Sequence, residues 1–520
     1  MIERGAVAVD DPGVFGPSWL SRGLATLLIA VGFVARVLPL TQGPYLLLRQ
    51  PTEDGFLMLT VARNIALGLG MSTAQGTIPT NGVQPLSTLL DAICFALAGG
   101  DRTVGVALVM ALSVLIAGAS LVAMIRLGAL LFAGNRAALT LTLLAAALWF
   151  ASPVVVAHSM NGLETGLYFL LLLLTTEFFL SHASDPTRDL KARHAVGLGL
   201  LLGLTFWARN DAVFLALAMA GARLGLSWRL PALWGRRLFE MALSGATMAA
   251  VAAPWMIHNY LRFGSVVPIS GKAEGTNQIG ANLPLLPAKL AEFVTVVGAI
   301  PNTAESRPPI QLASVALVLA GVLAALVIGW RFRGRTRAAV VLGLGYSVLL
   351  AAYYGAFFGA PHFLSRYTAP ISVFAAFLTV TVAAWLLRGF RLRAVFPLAL
   401  ALVAVGLDAR HYRQSREHMH FQVVNWIDGH VAEDSWVGAI QSGTVGFFHD
   451  RTINLDGKTN PDALKARFAD RMKDYIETSR IEYLADWEGI AEWEKWLAPT
   501  FSVAVDDPAQ NLAVLKRRRP

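Results

Sequence analysis

Two adjacent carboxylates, Glu53 and Asp54, stand just ahead of a stretch whose small and apolar residues Ala62, Ile65 and Ala66 fit one helix face and which ends at Gly68-Leu69-Gly70. A helix N-terminus favours negative charge, so such a pair can take the proton of a hydroxyl or hold a divalent cation. Plain capping of that helix accounts for the dipeptide equally well. Four further clusters carry polar groups between apolar runs: Asn81 to Gln84, His158 to Glu164, Arg209-Asn210-Asp211, and His258 through Lys272 to Glu274. A fifth holds His362, Arg366 and Tyr367.

Cations that meet developing negative charge lower a barrier, and on that ground Arg366, Lys272, Arg209, His362 and His258 are candidates to hold a phosphate leaving group. Each has a plainer alternative. Arg209-Asn210-Asp211 also reads as a salt-bridged turn, Lys272 as a solvated loop charge, and His258 as a side chain snorkelling at an interface. Glu164, inside an apolar run, is less easily explained by structure alone. No Walker loop, GxSxG elbow or HExxH pair occurs, which removes the usual support for ATP hydrolysis, serine acyl transfer and zinc proteolysis.

The elements that must position these groups follow from composition. Of 520 residues, 55% are hydrophobic and only 15% charged, against about 25% charged in a soluble chain. Apolar stretches near the roughly 20 residues that cross a bilayer recur from Leu24 to Asp408. They predict spans at 24–40, 104–125, 137–157, 163–180, 194–208, 211–226, 238–258, 311–330, 337–358, 367–387 and 394–408. The shorter run 85–99 carries Asp91 and reads as interfacial or re-entrant. The net charge of +9 comes in short basic clusters between spans, such as Arg331 to Arg337 and Arg388 to Arg393. That pattern fits loops on the cytoplasmic side of a membrane and not a nucleic-acid surface.

Parity then fixes the expected arrangement. Residues 1–23 are cytoplasmic, 24–408 form the membrane domain with a first outer loop at 41–103, and 409–520 lie outside. The expected fold is an all-α polytopic membrane protein of about eleven transmembrane helices with a small C-terminal α/β extracytoplasmic domain. In that domain, strands are predicted at Trp436–Ile440, Thr452–Leu455, Ile481–Leu484 and Ser502–Leu515, and helices at Pro461–Arg480 and Trp487–Leu497. Cys94 is the only cysteine, so no intrachain disulfide can form. The first apolar run lacks a small-residue cleavage site and reads as a retained signal anchor.

The ordered motifs resemble the GT-C glycosyltransferases of cell membranes. They are Glu53-Asp54-Gly55-Phe56, Ala62-Arg63-Asn64, Asn81-Gly82-Val83-Gln84-Pro85-Leu86, Gly162-Leu163-Glu164-Thr165, Ala208-Arg209-Asn210-Asp211, Gly264-Ser265 to Lys272, and Arg366-Tyr367. The runs Gly438 to Gln441 and Asn454 to Gly457 fit as well. The pattern is most similar to the actinobacterial branch containing the terminal arabinofuranosyltransferase of cell-wall arabinan. It departs from that branch at Glu53, where Asp is usual, and at Asn210, where Pro is usual.

The resemblance implies an inverting transfer from a polyprenyl-phosphate sugar, with arabinofuranose the sugar of the most similar branch, to a cell-envelope glycan or lipid acceptor at the outer face of the cell (inner) membrane. Asp54 or Glu53 would be the base, and Arg366, Lys272, Arg209, His362 and His258 would serve the phosphate. Asn81, Gln84, Glu164, Asp211, Tyr367, Gln441 and Asp456 would contact substrate, with the C-terminal domain helping to bind the acceptor. Some members of the superfamily bind a divalent cation through the acidic pair, here Glu53 and Asp54. The partners are then the lipid donor, the acceptor and membrane lipids, with no nucleic acid. The rival function is a transporter or lipid flippase, which would show inverted repeats and charges near the bilayer midplane. Here the charges gather at span ends, with Arg36 and Glu177 as exceptions that read as local pairs or snorkelling groups.

Overall fold

The protein is described here by a computed structural model covering residue 15 and residues 18–275, 278–295, 307–387, 394–414 and 420–518. Every expected span falls on a helix. The helices are Ser18–Thr41, Arg102–Leu131, Ala138–Phe150 with Pro153–Ser159, Thr165–His182, Ala192–Ala208 and Ala212–Leu226. Trp234–Phe263, Pro308–Arg331, Gly334–Ala356, Leu364–Thr368 with Ile371–Leu386, and Val395–Gln414 complete them. Length and hydropathy together select fewer. Among the described residues five helices qualify as spans, or up to seven if each of two bent pairs counts as one. Both bends fall at prolines: the first pair turns by 59° before Pro153 and the second by 64° next to Pro370.

The outward faces are those of a protein surrounded by lipid. Leu312, Leu319, Leu323, Leu326 and Trp330 of Pro308–Arg331 are all exposed, a continuous apolar surface that water would not tolerate. The chain is an integral membrane protein. The two exceptional charges, Arg36 and Glu177, are satisfied locally. Arg36 donates to the carbonyls of Gly32 and Phe150 (both 2.8 Å), and Glu177 pairs with Arg126 at 2.8 Å.

The run 85–99 forms one short helix, Pro85–Leu97. It packs with Glu53–Ala66, the helix that begins at the acidic pair. Between them lies a small antiparallel hairpin that the sequence did not announce, β1 (Ser72–Thr73) and β2 (Ile78–Pro79).

The C-terminal region folds around five strands: β3 (Val437–Ala439), β4 (Thr452–Asn454), β5 (Tyr483–Asp486), β6 (Phe501–Asp507) and β7 (Leu512–Arg517). Their order is β4-β3-β5-β7-β6, with β3 parallel to both β4 and β5 and the remaining pairs antiparallel. The expected strand 502–515 is a hairpin of two strands turning at Pro508 to Asn511, where Asn511 has φ of 50°. The expected helix Pro461–Arg480 is two, Pro461–Phe468 and Met472–Thr478, broken where Asp470 takes a φ of 53°. The expected helix Trp487–Leu497 begins as a 3₁₀ turn, Glu488–Trp493, and continues as Glu494–Leu497.

Parallel strands gather their carboxyl ends on one edge, which is where α/β sheets place ligands. Here β3 runs into the helix Ser442–Phe448, and β4 runs into the turn holding Lys458. Both ends face the acidic pair. The seam is aromatic and ionic: the Phe56 ring packs against Phe447 (4.9 Å), Phe448 (5.7 Å) and Phe421 (6.4 Å). Arg63 and Arg102 both reach Asp450, at 2.8 and 2.9 Å.

Candidate active site

The helix Glu53–Ala66 is capped by Thr52, whose hydroxyl accepts the Gly55 N–H at 3.2 Å, so capping does not occupy the acidic side chains. Gly55 is required for a different reason: a Cβ there would lie 2.2 Å from the Asn161 carbonyl oxygen. That contact, with the Thr52 N–H donating to Asn161 at 3.0 Å, seats the loop before Glu164 against the start of the helix.

The two acidic residues point to different partners. Glu53 accepts the backbone N–H of Gly443, the N–H of Thr444 at 2.7 Å and the Thr444 hydroxyl at 2.9 Å. Burial raises its pKa to about 7, against the opposing pull of those three hydrogen bonds. Asp54 instead faces a pocket of about 60 Å³ whose walls include Gln84, Glu164, Ser270, Glu274, Arg366, Tyr367 and Lys458. One Asp54 oxygen lies 3.2 Å from Arg366 Nη1 and the other 3.2 Å from Lys458 Nζ. Burial alone would raise the Asp54 pKa, but the Lys458 and Arg366 charges outweigh it and hold the carboxyl below its ordinary range.

Arg366 is partly buried; its Nε is buried and lacks a hydrogen-bond partner among the described residues, while its Nη2 donates to the Tyr367 hydroxyl at 2.8 Å. Gln84 likewise presents a buried, unpartnered Oε1. A free guanidinium N–H and a free amide oxygen in one pocket are what an anionic group and a hydroxyl would fill. His362 is exposed beside the pocket.

The other expected residues fall elsewhere. Arg209 is fully buried behind Tyr367. It pairs with Asp211 and, at 3.8 Å, with Glu164, under the rings of Tyr168 and Tyr367. Asp211 also accepts the Tyr354 hydroxyl at 2.9 Å. Arg209 and Asp211 support the pocket wall from behind, whereas Glu164 and Tyr367 are part of it. Asn81 is a buried strut that donates to the Asn259 side chain (3.1 Å) and accepts the Ile269 N–H (3.2 Å). His258 is exposed and stacked on Trp255, and Lys272 is exposed. Gln441 meets Asp486 through its backbone N–H at 2.9 Å. Asp456 adjoins the pocket through Lys458, whose backbone N–H it accepts at 2.8 Å.

A divalent cation fits this arrangement poorly. The Glu53 carboxylate is already filled by three donors, and both Asp54 oxygens meet protein cations. Lys458, which the sequence reading stopped one residue short of, is the most consequential residue it missed. Glu274, named in the sequence only as the end of a polar cluster, lines the pocket as well. Gly82 is the remaining signal: a Cβ there would lie 1.9 Å from the Lys458 carbonyl oxygen, so the Asn-Gly motif marks where the C-terminal domain touches down.

Residues 408–513 match a family described as a domain of unknown function (DUF8728). No curated protein matches the sequence. The fold is similar to that of ArnT from Cupriavidus metallidurans bound to undecaprenyl phosphate: TM-score 0.61, 11% identity, 95% of this chain and 98% of that one. The apo ArnT structure from the same organism gives 0.58 at 13% identity over 95% and 97%. The oligosaccharyltransferase AglB from Archaeoglobus fulgidus, in complex with an inhibitory peptide and a dolichol-phosphate, gives 0.54 at 12% identity over 92% of this chain and 71% of that one. The chain therefore has the GT-C fold of these membrane glycosyltransferases.

Proposed function

We propose that this protein is an inverting glycosyltransferase that moves a sugar from a polyprenyl-phosphate donor to a cell-envelope glycan or lipid acceptor at the outer face of the cell membrane. One observation carries the reading: a single pocket brings a carboxylate, Asp54, between two cations, one of which, Arg366, keeps a buried N–H free. The shared fold with proteins solved with undecaprenyl phosphate and dolichol-phosphate supports the lipid donor.

Asp54 takes the proton of the acceptor hydroxyl, whose oxygen attacks the anomeric carbon. The bond from that carbon to the phosphate oxygen breaks on the opposite side, and its electron pair leaves with the polyprenyl phosphate beside Arg366 and Lys458. The cations serve twice. While they sit on Asp54 it is a weak base, and when phosphate draws them away its proton affinity rises. Glu53, committed to the C-terminal domain, is the clamp and Asp54 the base. An apolar cavity of about 170 Å³, walled by residues such as Val322, Val340, Phe374 and Phe377, lies along the spans and suits the prenyl tail. The motif resemblance points to arabinofuranose as the sugar.

The test is transfer by the purified protein from a panel of polyprenyl-phosphate sugars to short cell-wall glycans, beside Asp54→Asn. Transfer that disappears in the variant supports the reading. No transfer with any donor, together with lipid or solute movement across proteoliposomes, would establish the transporter instead.

A further inference from the structure

We infer that the Lys458 ammonium occupies the seat that a divalent cation would take in this site, so that the C-terminal domain supplies, as part of the chain, the positive charge that holds the carboxylates together and receives the donor phosphate. The inference rests on the glycosyltransferase reading for its second half only.

Three carboxylates from three separate parts of the chain converge on one nitrogen. Lys458 Nζ lies 2.9 Å from Glu274, 3.2 Å from Asp54 and 3.8 Å from Asp456. Oxygen ligands from several acidic side chains around one positive centre are what a hard divalent ion selects. Here an ammonium sits at that centre, with the Phe363 ring 4.8 Å away on another side. The lysine is not a loose surface chain. Its own N–H is bound by Asp456, and the Asn454 side chain accepts the N–H of Gly457 (2.9 Å) and of Thr459 (3.4 Å). Asn460 donates back to the Asn454 carbonyl at 2.8 Å, closing the turn. From the other side, Gly82 packs on the Lys458 carbonyl so closely that no side chain fits. Glu274 is fixed as well: its carbonyl accepts the Gly359 N–H at 2.8 Å, and Arg467 of the C-terminal domain holds the neighbouring Ala273 carbonyl at 2.6 Å.

The geometry also explains why Lys458 can act on a phosphate and a metal is not needed to do so. Its three neighbours leave it beside Arg366, across Asp54, with both cations on the wall of one pocket. As the sugar–phosphate bond breaks, the electron pair stays on the phosphate oxygen, and the ammonium can neutralise it without giving up its own proton.

The experiment uses the full chain in nanodiscs and two independent readouts. First, Mn²⁺ binding is followed by paramagnetic resonance on the wild type, Lys458→Ala, Lys458→Ser and Lys458→Ala/Glu274→Gln. The wild type should bind no Mn²⁺ here at millimolar concentration. Either single variant should gain one site, and the double variant should lose it. Second, transfer by the wild type should survive EDTA. Lys458→Ala should lose roughly 100-fold, with Mn²⁺ or Mg²⁺ restoring roughly tenfold or more. Stoichiometric Mn²⁺ binding with Lys458 in place, loss of wild-type transfer in EDTA, or no gained site in both folded single variants would each overturn the inference. A wild type inactive with every donor sinks the glycosyltransferase reading, while the Mn²⁺ pattern still decides what Lys458 replaces.

Discussion

The carboxylate of Glu53 accepts the backbone N–H groups of Gly443 and Thr444, joining positions 390 and 391 residues apart at the first turn of a short helix. Asp54, its neighbour, turns the other way into the pocket. Adjacent residues thus point apart, one to the C-terminal domain and the other into the pocket.

The lock titrates. Burial raises the Glu53 pKa from 4.5 to about 7, so the docked state holds a proton that an exposed glutamate would have lost. Its contribution to docking is therefore full on the acid side and is lost as pH rises through about 7. Glu53→Gln should flatten the slope of thermal stability against pH across that interval. A variant that kept the wild-type slope would assign the titration to another group.

The proposed base titrates in the opposite sense. Asp54 is held below the usual carboxylate range by Lys458 and Arg366, so the acid limb of kcat/KM should fall below that range. Arg366→Ala removes one of the two cations and should move the limb upward, besides lowering turnover. Asp54→Asn should cost at least about 100-fold in transfer with insertion and folding intact. Normal turnover in that variant would remove Asp54 from the mechanism.

Contact between the domains can be tested without touching a charge. Gly82→Ala drives a methyl into the Lys458 carbonyl and should destabilise docking by about 1–3 kcal/mol, read as earlier proteolysis at the seam. Gly221→Ala is the control, since a Cβ there meets nothing within 4 Å. Equal behaviour of the two variants would mean that the seam at Gly82 is slack.

Arg209 offers a test of support against binding. Removing it strands Glu164 and Asp211 as buried charges, which costs about 3–5 kcal/mol. Arg209→Met should therefore lower the melting temperature sharply, whereas Arg366→Ala should act mainly on transfer. Lys272→Ala, at an exposed position, should cost less transfer than Arg366→Ala. A large transfer defect with unchanged melting in Arg209→Met would place that guanidinium on the substrate after all.

Much of this was legible in the sequence because apolar periodicity and charge are local signals. The helices at the expected spans and the short helix beginning at Pro85 could be read from neighbouring residues, and Asp54, Arg366, Glu164, Gln84 and Tyr367, candidates from residue type and motif, are brought to one pocket. What could not be read is tertiary. Lys458 follows Asp456-Gly457 in a turn that resembles any solvated loop, and only the fold carries it to Asp54. Gly443 and Thr444 act through backbone N–H groups, which no residue type advertises. Arg209 has the chemistry of a phosphate ligand but two acidic neighbours that consume it. The span count diverged because helices such as Ala192–Ala208 and Ala212–Leu226 are short for a bilayer crossing even where their apolar runs are clear.

The seat around Lys458 has a consequence for how such a protein is made. Ribosomes deliver Asp54, Glu274 and Arg366 long before residue 458 is synthesised, so the membrane portion is built first with Asp54 facing Arg366 alone and Glu274 without its ammonium. Until then the pocket holds one of its two cations. The pocket is completed in a later step, when the region holding Lys458 settles and its ammonium reaches Asp54 and Glu274.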